Sequence, residues 1–384
     1  MAKSVDADVS RRSFLAKAGG ALLVSPLAAR ALPAAAQVPD IPLPELPARK
    51  LGWAIVGIGR LSVNQILPAL VNSRSSRLTA LVSGRPEKAR RFAQVYGVDA
   101  KNIYTYDNYD DIARNPAIDV VYNVLPNSMH EEYTVRALKA GKHVLCEKPM
   151  ANTPEECERM IAAARAANRK LMIAYRLHYE PFTQALIKIA RDASEMGPTR
   201  VIAAEAGFPI SDPGQWRLKK KMAGGGSLMD IGIYALQAAR YLSGEEPVEV
   251  NAMMHSTPGD PRFTEVEENV TFQLRFPSGV LANCTSSYGV GVSRFRVMKT
   301  GGSAELEPSV YYSGLRMRVF RNGAVEERPQ PVVDHFVAEM DHLSECIMKG
   351  SDPATPGEEG LRDLRIMMAI YEAARSNKTI KLGA

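Results

Sequence analysis

Two patterns of hydrophobic and polar positions divide the chain after residue 50. In residues 51–173, continuous apolar runs alternate with helical segments. The runs are "LGWAIV", "LTALVSG", "DVVYNVLP", "HVLCEKP" and "KLMIAYR". Strands of a parallel sheet are buried on both faces, so they lack regular polar positions. We therefore predict that residues 51–173 form an α/β domain with a doubly wound parallel sheet.

Residues 174–384 carry a different pattern, in which apolar and polar side chains alternate and turn residues separate the segments. The segments are "TRVIAAEAGF", "VEVNAMMHST", "VEENVTFQLRF", "GVLANCTSSYG" and "RFRVMKTGG". Such alternation is typical of antiparallel strands with one buried face. We predict a second, α+β domain over residues 174–384, with a closing helix at "GEEGLRDLRIMMAIYEAARS" that packs back against the body.

The first 50 residues fit neither pattern. "SRRSFL" (residues 10–15) precedes a short apolar run, and "ALPAAAQ" places Ala34 and Ala36 at the small positions of a cleavage site. This order predicts a twin-arginine signal peptide over residues 1–36, cleaved near Ala36, and a periplasmic location. The alternative is a pair of surface arginines before an amphipathic helix. Residues 37–50 contain four prolines and are predicted to form an extended arm.

Charge and cysteine content exclude several classes of protein. The 384 residues include 48 Lys and Arg against 42 Asp and Glu, and loss of residues 1–36 would lower the formal charge from +6 to +3. A charge of this size gives no reason to expect nucleic-acid binding or stable membrane association. The four cysteines lie far apart, without the spacing of a metal or redox motif, so we predict buried thiols and no metal site.

A glycine turn after the first apolar run is the first candidate for cofactor binding. Gly57 and Gly59 of "GIGRLS" would allow a tight turn and the close approach of a diphosphate to the start of a helix. The predicted cofactor site also includes the adjoining Arg60 and Leu61. Ser62 replaces the third glycine of the usual fingerprint, so a plain strand-to-helix turn is the alternative.

The end of the second apolar run indicates which cofactor binds. Enzymes that prefer NAD usually have a carboxylate here to bind the adenine ribose. This chain has Ser83, Gly84 and Arg85, with Lys88 one helical turn later. A hydroxyl group and two cations suit the 2'-phosphate of NADP, so we predict NADP(H). The alternative is a charged helix start without a ligand.

Four longer segments carry a family resemblance: "LPNSMH" (residues 125–130), "AGKHVLCEKPM" (140–150), "YRLHYEP" (175–181) and "GGGSLMDIGIYAL" (224–236). They resemble the Gfo/Idh/MocA oxidoreductases and, within them, the periplasmic glucose-fructose and aldose-aldose oxidoreductases. The resemblance extends over essentially the whole chain after residue 51. It implies a Rossmann domain, a second domain with a large open antiparallel sheet, and a sugar site between the two.

The resemblance also implies three catalytic residues, Lys148, Asp230 and Tyr234. Oxidation of a sugar hydroxyl needs a base that accepts the proton as hydride leaves. Asp230 and Tyr234 are four residues apart on a predicted helix that Ser227 caps and Gly244 ends, so they share one face. Lys148 is the cation that would stabilise the phenolate of Tyr234. Taken alone, Tyr234 fits equally well as an aromatic residue on a buried helix face.

The remaining candidate residues surround the positions expected for the nicotinamide and the sugar. Trp216 and Arg217 resemble family residues that reach the cofactor, and Arg217 could bind a phosphate. Arg176 and His178 could line the sugar pocket, although Arg176 could instead be structural and His130 could be a surface or helix-capping histidine. The full set of further cofactor contacts predicted is Leu125, Asn127, His130, Glu147, Lys148, Arg176, Trp216 and Arg217. The predicted substrate contacts are Lys148, Arg176, His178, Asp230 and Tyr234.

Export and cofactor chemistry together favour one activity. A periplasmic enzyme lacks a soluble pool that would regenerate its cofactor, so we expect tightly bound NADP(H) and a ping-pong cycle. An aldose such as glucose would leave as its lactone, and a second aldose or fructose would leave as an alditol. The alternatives are an ordinary NADP-dependent sugar dehydrogenase with dissociable cofactor and a catalytically silent sugar-binding protein. The expected partners are sugars, the twin-arginine export machinery and a second copy of the chain in a homodimer through the open sheet, with a tetramer left open.

Overall fold

The computed structural model describes residues 49–383. The predicted signal peptide and nearly all of the predicted arm therefore lie outside the described residues. The first half forms a parallel sheet, as predicted. Its strands are β1 (Leu51–Val56), β2 (Ser76–Val82), β3 (Ile103–Tyr104), β4 (Val120–Asn123), β5 (His143–Glu147) and β6 (Leu171–Ala174). The spatial order is β3-β2-β1-β4-β5-β6, and every neighbouring pair is parallel.

Helices cover both faces of this sheet, which confirms the doubly wound arrangement. They are α1 (Leu67–Asn72), α2 (Pro86–Tyr96), α3 (His130–Lys139) and α4 (Pro154–Ala167). Helices α1 and α2 pack on one face, and α3 and α4 pack on the other. The local sequence explains several helix ends. Thr153 and Glu156 form a capping box at the start of α4, and Gly97 ends α2 in the left-handed conformation, with φ of 68°.

The second half contains a sheet of nine strands within the described range. They are β7 (Thr199–Gly207), β8 (Glu249–His255), β9 (Asn269–Arg275), β10 (Leu281–Ser287), β11 (Val292–Lys299), β12 (Gly302–Leu306), β13 (Met317–Arg321), β14 (Ala324–Glu327) and β15 (Ile380–Lys381). The order is β14-β13-β12-β11-β7-β10-β9-β8-β15. The pairs are antiparallel except β7 with β10, which are parallel, so the sheet is mixed and mostly antiparallel.

One face of the second sheet is buried and the other is open. Helices α5 (Pro181–Arg191) and α7 (Ile233–Ser243) cover the buried face, and the short α6 (Lys220–Ala223) precedes α7. Strand β11 alternates buried and partly exposed residues along its whole length. This alternation of period two is the pattern that predicted a half-buried sheet from the sequence.

The last two helices return to the first domain. Helix α8 (His335–Lys349) packs on the parallel sheet, and helix α9 (Gly357–Ser376) packs against α4 and β8. The indole nitrogen of Trp53 in β1 donates a hydrogen bond to Ser344 Oγ at 3.1 Å. Residues 335–349 therefore complete the core of the first sheet, although they follow the predicted boundary at residue 173.

Two further sequence features can be compared with the structure. All four cysteines are buried free thiols, which confirms the prediction made from their spacing. Within residues 49–383, no helix combines the length and the apolar character that a membrane crossing requires.

Candidate functional site

The glycine turn after β1 forms a cradle at the end of the parallel sheet. Gly57 adopts a positive φ of 93°, and a side chain there would meet the carbonyl oxygen of Val124 at 2.9 Å. A Cβ atom at Gly59 would have no neighbour within 4 Å, so a ligand can approach its backbone closely. Ser62 is buried, and its hydroxyl donates to the Gly57 carbonyl at 2.5 Å. The serine therefore stabilises the turn in place of the third glycine of the fingerprint.

The turn after β2 contains the residues predicted to select the cofactor. Ser83 Oγ accepts a hydrogen bond from the Arg85 backbone at 3.1 Å, while the Arg85 side chain is exposed and forms no ion pair with the part of the chain that is described. The Lys88 ammonium donates to the carbonyl of Ile58 in the glycine turn. Arg85 is therefore the cation available to a ligand phosphate, and Lys88 connects the two turns. Gly84 is exposed beside the ring of Tyr106.

These two turns fit a dinucleotide. A diphosphate is bound by free backbone N–H groups at the start of a helix, and the open approach at Gly59 provides the space. The hydroxyl of Ser83 and the guanidinium of Arg85 are donors suited to a phosphate on the adenine ribose. In the glycine turn after β1, Arg60 is exposed and Leu61 is partly buried. The buried Leu125 lies against the same turn, because a Cβ at Gly57 would meet its side chain at 2.9 Å.

A carboxylate from outside the helix supports the start of the segment that carries Asp230. Glu267 accepts hydrogen bonds from the backbone N–H groups of Gly226 at 2.9 Å and Leu228 at 3.0 Å. It also accepts one from the Tyr371 hydroxyl at 2.8 Å. A Cβ on Gly226 would collide with the Glu267 carbonyl oxygen, so this glycine permits the close approach.

The predicted cap at Ser227 is wrong, whereas the predicted end of the helix is confirmed. The Ser227 side chain makes no capping bond, and its oxygen lies 3.1 Å from Ser286 Oγ in strand β10. The helix begins as a π-helical turn over Leu228–Gly232 and continues as α7. Gly244 ends α7 in the left-handed conformation, with φ of 75°.

Asp230 is held by three donors from different parts of the chain. Lys148 Nζ lies 3.4 Å from Oδ1 and also donates to the Asp230 backbone carbonyl at 2.5 Å. Oδ2 accepts bonds from Arg217 Nε at 2.9 Å and from the Tyr288 hydroxyl at 3.0 Å. Burial alone would raise the pKa of Asp230, but the charges of Arg217 and Lys148 outweigh it and lower this pKa to about 2. Asp230 is therefore a carboxylate at neutral pH.

Two cations face the ring of the buried Tyr234. Lys148 Nζ lies 4.8 Å from the ring centre, and the Arg176 guanidinium carbon lies 5.1 Å from it. Burial lowers the pKa of Lys148, but the nearby Tyr234, Asp230 and Glu147 outweigh burial, so the net shift is upward and Lys148 stays charged. The structure thus brings together the three residues that the sequence predicts to be catalytic.

Arg176 is a buried link between the two halves of the protein. Its Nη2 donates to the carbonyl of Val310 at 2.5 Å, and its Nη1 lies 3.3 Å from His335 Nδ1 in helix α8. Its guanidinium also lies 4.7 Å from the ring centre of Tyr312, so it is placed between the rings of Tyr312 and Tyr234. These bonds give Arg176 a structural role, and its guanidinium adds positive charge beside Tyr234, while its contact with a sugar or a cofactor stays a prediction.

Several other predicted contacts have roles that the structure defines. Asn127 Nδ2 donates to the carbonyl of Ala223 at 2.9 Å and so joins the loop after β4 to helix α6. Trp216 is partly buried, and its ring lies 4.7 Å from the guanidinium carbon of Arg217. Arg217 pairs with Asp230 through Nε and so belongs to the cluster around Asp230, while its contact with a phosphate stays a prediction.

Two predicted histidine contacts are not supported. His130 is fully buried, and its ring nitrogens lie 2.8 Å from the Leu125 carbonyl and 2.9 Å from the Pro149 carbonyl. It joins two loops, so its ring has no nitrogen left for a cofactor. His178 lies between the rings of Tyr179 and Tyr241, at 5.3 and 5.4 Å, and the structure does not bring it to the cluster around Asp230.

Comparison with known proteins now assigns the family. Residues 51–175 match the family described as "Oxidoreductase family, NAD-binding Rossmann fold", and residues 185–305 match the "GFO/IDH/MocA C-terminal domain". The chain belongs to the Gfo/Idh/MocA oxidoreductase family. This confirms the resemblance found in the sequence and establishes an oxidoreductase with an NAD(P)-binding Rossmann domain.

Solved structures and curated proteins of the Gfo/Idh/MocA family are similar to this chain over most of its length. A crystal structure of aldose-aldose oxidoreductase from Caulobacter crescentus, complexed with glycerol, is 50% identical, covers 87% of this chain and 100% of that chain, and superposes with a TM-score of 0.85. D-xylose 1-dehydrogenase [NADP(+)] from Haloarcula marismortui is 33% identical over 86% of this chain and 92% of its own length. The 1,5-anhydro-D-fructose reductase of Ensifer adhaerens is 26% identical over 86% and 98%.

Sequence reasoning missed three side chains of this Gfo/Idh/MocA site. Tyr288 binds Asp230, Glu267 supports the helix start, and Tyr312 stacks on Arg176. Tyr288 directly follows an alternating strand in "SSYG", a position at a strand end where site residues often lie. Glu267 and Tyr312 carry no local signal, because their partners lie about 40 or more residues away in sequence.

Proposed function

We propose that this protein is an NADP(H)-dependent sugar oxidoreductase that keeps its cofactor bound and works by a ping-pong cycle. An aldose such as glucose is oxidised to its lactone, and a second aldose or fructose is reduced to the alditol. The observation that carries the proposal is the buried cluster of Lys148, Asp230 and Tyr234 between a dinucleotide-binding sheet and an open mixed sheet. The 50% identical relative named aldose-aldose oxidoreductase supports the choice of sugars.

The two turns at the end of the parallel sheet would hold NADP(H). The open backbone at Gly59 would face the diphosphate, and Ser83 and Arg85 would bind the 2'-phosphate. When bound, the nicotinamide supplies the acceptor for hydride in one half-reaction and the donor in the other. Lys88 would act on the cofactor through Ile58, by holding the glycine turn in place.

The catalytic cluster would move one proton in each half-reaction. The phenolate of Tyr234 would accept the proton of a sugar hydroxyl group as hydride leaves the carbon that bears this group. In the reverse direction the Tyr234 hydroxyl would return the proton to the sugar oxygen. The ammonium of Lys148, 4.8 Å from the ring centre, favours the phenolate. Asp230 binds both Lys148 and Arg217, so it fixes the position of the ammonium group.

Export explains why the cofactor would be retained. "SRRSFL" at residues 10–15 supports export of the folded protein by the twin-arginine machinery to the periplasm. NADP(H) would then be loaded in the cytoplasm and not released, since an exported enzyme lacks a soluble pool of it. Retention requires that hydride taken from one sugar be given to another sugar in the same site, which is a ping-pong cycle.

An ordinary sugar dehydrogenase with dissociable cofactor is the second candidate. The relative named D-xylose 1-dehydrogenase [NADP(+)] favours it. A catalytically silent sugar-binding protein, the third alternative, has less support, since such a protein would not need both Asp230 and Tyr234 beside Lys148.

The test uses purified protein after extensive dialysis. Its absorbance spectrum should show bound cofactor, and glucose alone should convert this cofactor to the reduced form once and then stop. Addition of fructose or a second aldose should restart turnover without added NADP and yield lactone and alditol in equal amounts. A Tyr234→Phe variant should keep the bound cofactor but reduce it far more slowly, which controls for contaminating dehydrogenase. A requirement for added NADP on every sugar pair would overturn the ping-pong proposal in favour of the ordinary dehydrogenase.

We also propose that two copies of the chain associate through the open face of the second sheet. On this face Met253 of β8 is 75% exposed and Leu281 of β10 is 44% exposed, and apolar side chains of this kind are stabilised by burial against a partner. Light scattering coupled to size-exclusion chromatography should give the mass of a dimer, and Met253→Lys with Leu281→Lys should give a monomer. A monomeric wild-type protein would overturn this proposal, and a tetramer would extend it.

A further inference from the structure

The buried carboxyl groups of Glu147 and Glu339 both contact the hydroxyl group of Tyr122, and Glu147 directly precedes Lys148 in the chain. The hydroxyl of Tyr122 in β4 lies 2.7 Å from Glu147 Oε1 and 3.2 Å from Glu339 Oε1 in helix α8. Glu339 is 0% exposed and Glu147 is 9% exposed. A tyrosine hydroxyl has one proton, so it can donate to only one of the two carboxyl groups. The second carboxyl group can form a hydrogen bond with the Tyr122 oxygen only if it is protonated and donates its own proton.

The surroundings of the two groups show which one is charged. Glu147 has a second donor, because the backbone N–H of Lys148 lies 3.2 Å from its Oε2. Burial raises the pKa of Glu147, but the positive charges of Lys148 and Arg176 and the bond from Tyr122 oppose this rise and favour its ionised form. Glu339 has no comparable support, since its Oε2 is buried without a hydrogen-bond partner in the described structure. Burial and the negative charge of Glu147 both raise the pKa of Glu339 well above its usual range.

We propose that Glu339 is a protonated acid at neutral pH and that it donates to Tyr122, which in turn donates to an ionised Glu147. The pair then carries a single negative charge. A second buried carboxylate with a vacant oxygen would have to be desolvated without compensation. Glu339 is thus a positioning residue, because it orients the hydroxyl that holds Glu147 beside Lys148.

Burial and the acidic neighbours of Glu339 raise its pKa, and they outweigh Arg176 and the hydrogen bond with Tyr122, which lower it. The groups that face it are Tyr122, Glu147, Arg176, Tyr179 and Asp334. Only Arg176 is a cation, and it also interacts with Glu147. The negative charge of Asp334, which caps α8, adds to the preference of Glu339 for its proton.

The charge state of this pair affects the catalytic cluster, a consequence that rests on the proposed function. Lys148, Arg176 and Arg217 bring three positive charges, and Asp230 and Glu147 bring two negative charges. One positive charge is then in excess in the cluster beside the ring of Tyr234. His335 does not change this balance, because burial and Arg176 lower its pKa to about 4, so it is neutral. Ionisation of Glu339 would cancel this excess charge at the cluster.

Infrared spectroscopy of the purified protein tests the assignment without any sugar. The spectrum of the wild type minus that of Glu339→Gln at neutral pH should contain the C=O band of a protonated carboxyl group. The corresponding difference for Glu147→Gln should contain carboxylate bands instead. Glu305→Gln is the matched control, because Glu305 is a buried carboxylate paired with Arg318 at 2.6 Å on the second sheet. Carboxylate bands in the Glu339→Gln difference would overturn the proposal.

A second variant keeps the test decisive if Glu339→Gln does not fold. Tyr122→Phe removes the hydroxyl that accepts the Glu339 proton, so the protonated-carboxyl band should move to higher frequency. A band that neither moves nor disappears would show that the protonated group lies elsewhere and would overturn the proposal.

Kinetics on sugars test the functional consequence. Glu147→Gln removes a negative charge near Lys148, so the ascending limb of kcat/KM against pH should move to lower pH. Glu339→Gln replaces one neutral side chain by another and should move this limb by less than half as much. Equal shifts in the two variants would overturn the proposal. If no sugar is turned over, the proposed function fails, while the infrared spectra still decide the charge of Glu339.

Discussion

Replacement of Glu267 by glutamine tests whether this carboxylate supports the start of the helix that carries Asp230 and Tyr234. The side chain accepts bonds from the N–H groups of Gly226 and Leu228 and from the hydroxyl of Tyr371. A glutamine has one acceptor oxygen, so its NH2 group must face one of the two backbone donors. An unsatisfied buried donor costs about 1–3 kcal/mol, and we expect a loss of stability of this size.

A matched control removes a different bond of the same carboxylate. Tyr371→Phe leaves both backbone N–H groups bound to Glu267, so no buried donor loses its partner, and the loss of stability should be smaller than for Glu267→Gln. Urea unfolding followed by circular dichroism, at a fixed and saturating concentration of NADP, gives both free energies on the same scale.

The same substitution should also affect turnover, because Asp230 lies two residues after Leu228. A displacement of the helix start would move Asp230 relative to Lys148, and we expect kcat to fall roughly 10-fold or more for Glu267→Gln. Tyr371→Phe should lose less activity. The reasoning is refuted if Glu267→Gln is within about 0.5 kcal/mol of the wild type, the range of an ordinary surface substitution.

Three further predictions concern the site itself. Tyr234→Phe should lower turnover by about 100-fold or more while bound cofactor and unfolding midpoint stay near wild type; retained activity would exclude Tyr234 as the base. In cofactor-stripped protein, calorimetry should show that Arg85→Ala weakens NADP about 10-fold or more while sparing NAD. Lys88→Ala should weaken both cofactors, and equal losses in Arg85→Ala would contradict the phosphate assignment. Because the pKa of Asp230 is lowered from 3.8 to about 2, its stabilisation is complete above pH 5 and falls by about 1 kcal/mol at pH 3. Urea unfolding at both pH values should show a smaller loss in Asp230→Asn.

The sequence predicted those parts of the structure that depend on local pattern. Apolar runs predicted the parallel strands, and the alternation along β11 predicted a half-buried sheet. Both predictions were possible because the faces of a strand that are buried determine which of its positions are apolar. The pair Asp230 and Tyr234 was predictable in the same way, since four residues bring side chains to one face of a helix. Lys148 was found through its motif, which carries information about the site that periodicity does not.

Contacts between distant segments were not predictable from one sequence. Ser227 is a residue type that often caps helices, but here Glu267 accepts the hydrogen bond of the Leu228 N–H group, 39 residues away in the sequence. His130 looked suited to the nicotinamide because it follows a strand, yet each of its ring nitrogens lies within 2.9 Å of a backbone carbonyl oxygen. In both cases the competing partner is set by tertiary packing, which no local pattern encodes.

Helix α8 has a consequence for how the chain is made. Trp53 in the first strand is separated by 291 residues from its hydrogen-bond partner Ser344, and Phe336 and Met340 belong to the same buried cluster. At about 5–20 residues per second, a ribosome needs about 15–60 s to extend the chain over that distance. During this interval the N-terminal half is exposed to chaperones and proteases, because the part of the sheet face that α8 covers beside α1 and α2 lacks its helix. A stop codon before residue 335 would therefore damage the half that was translated first.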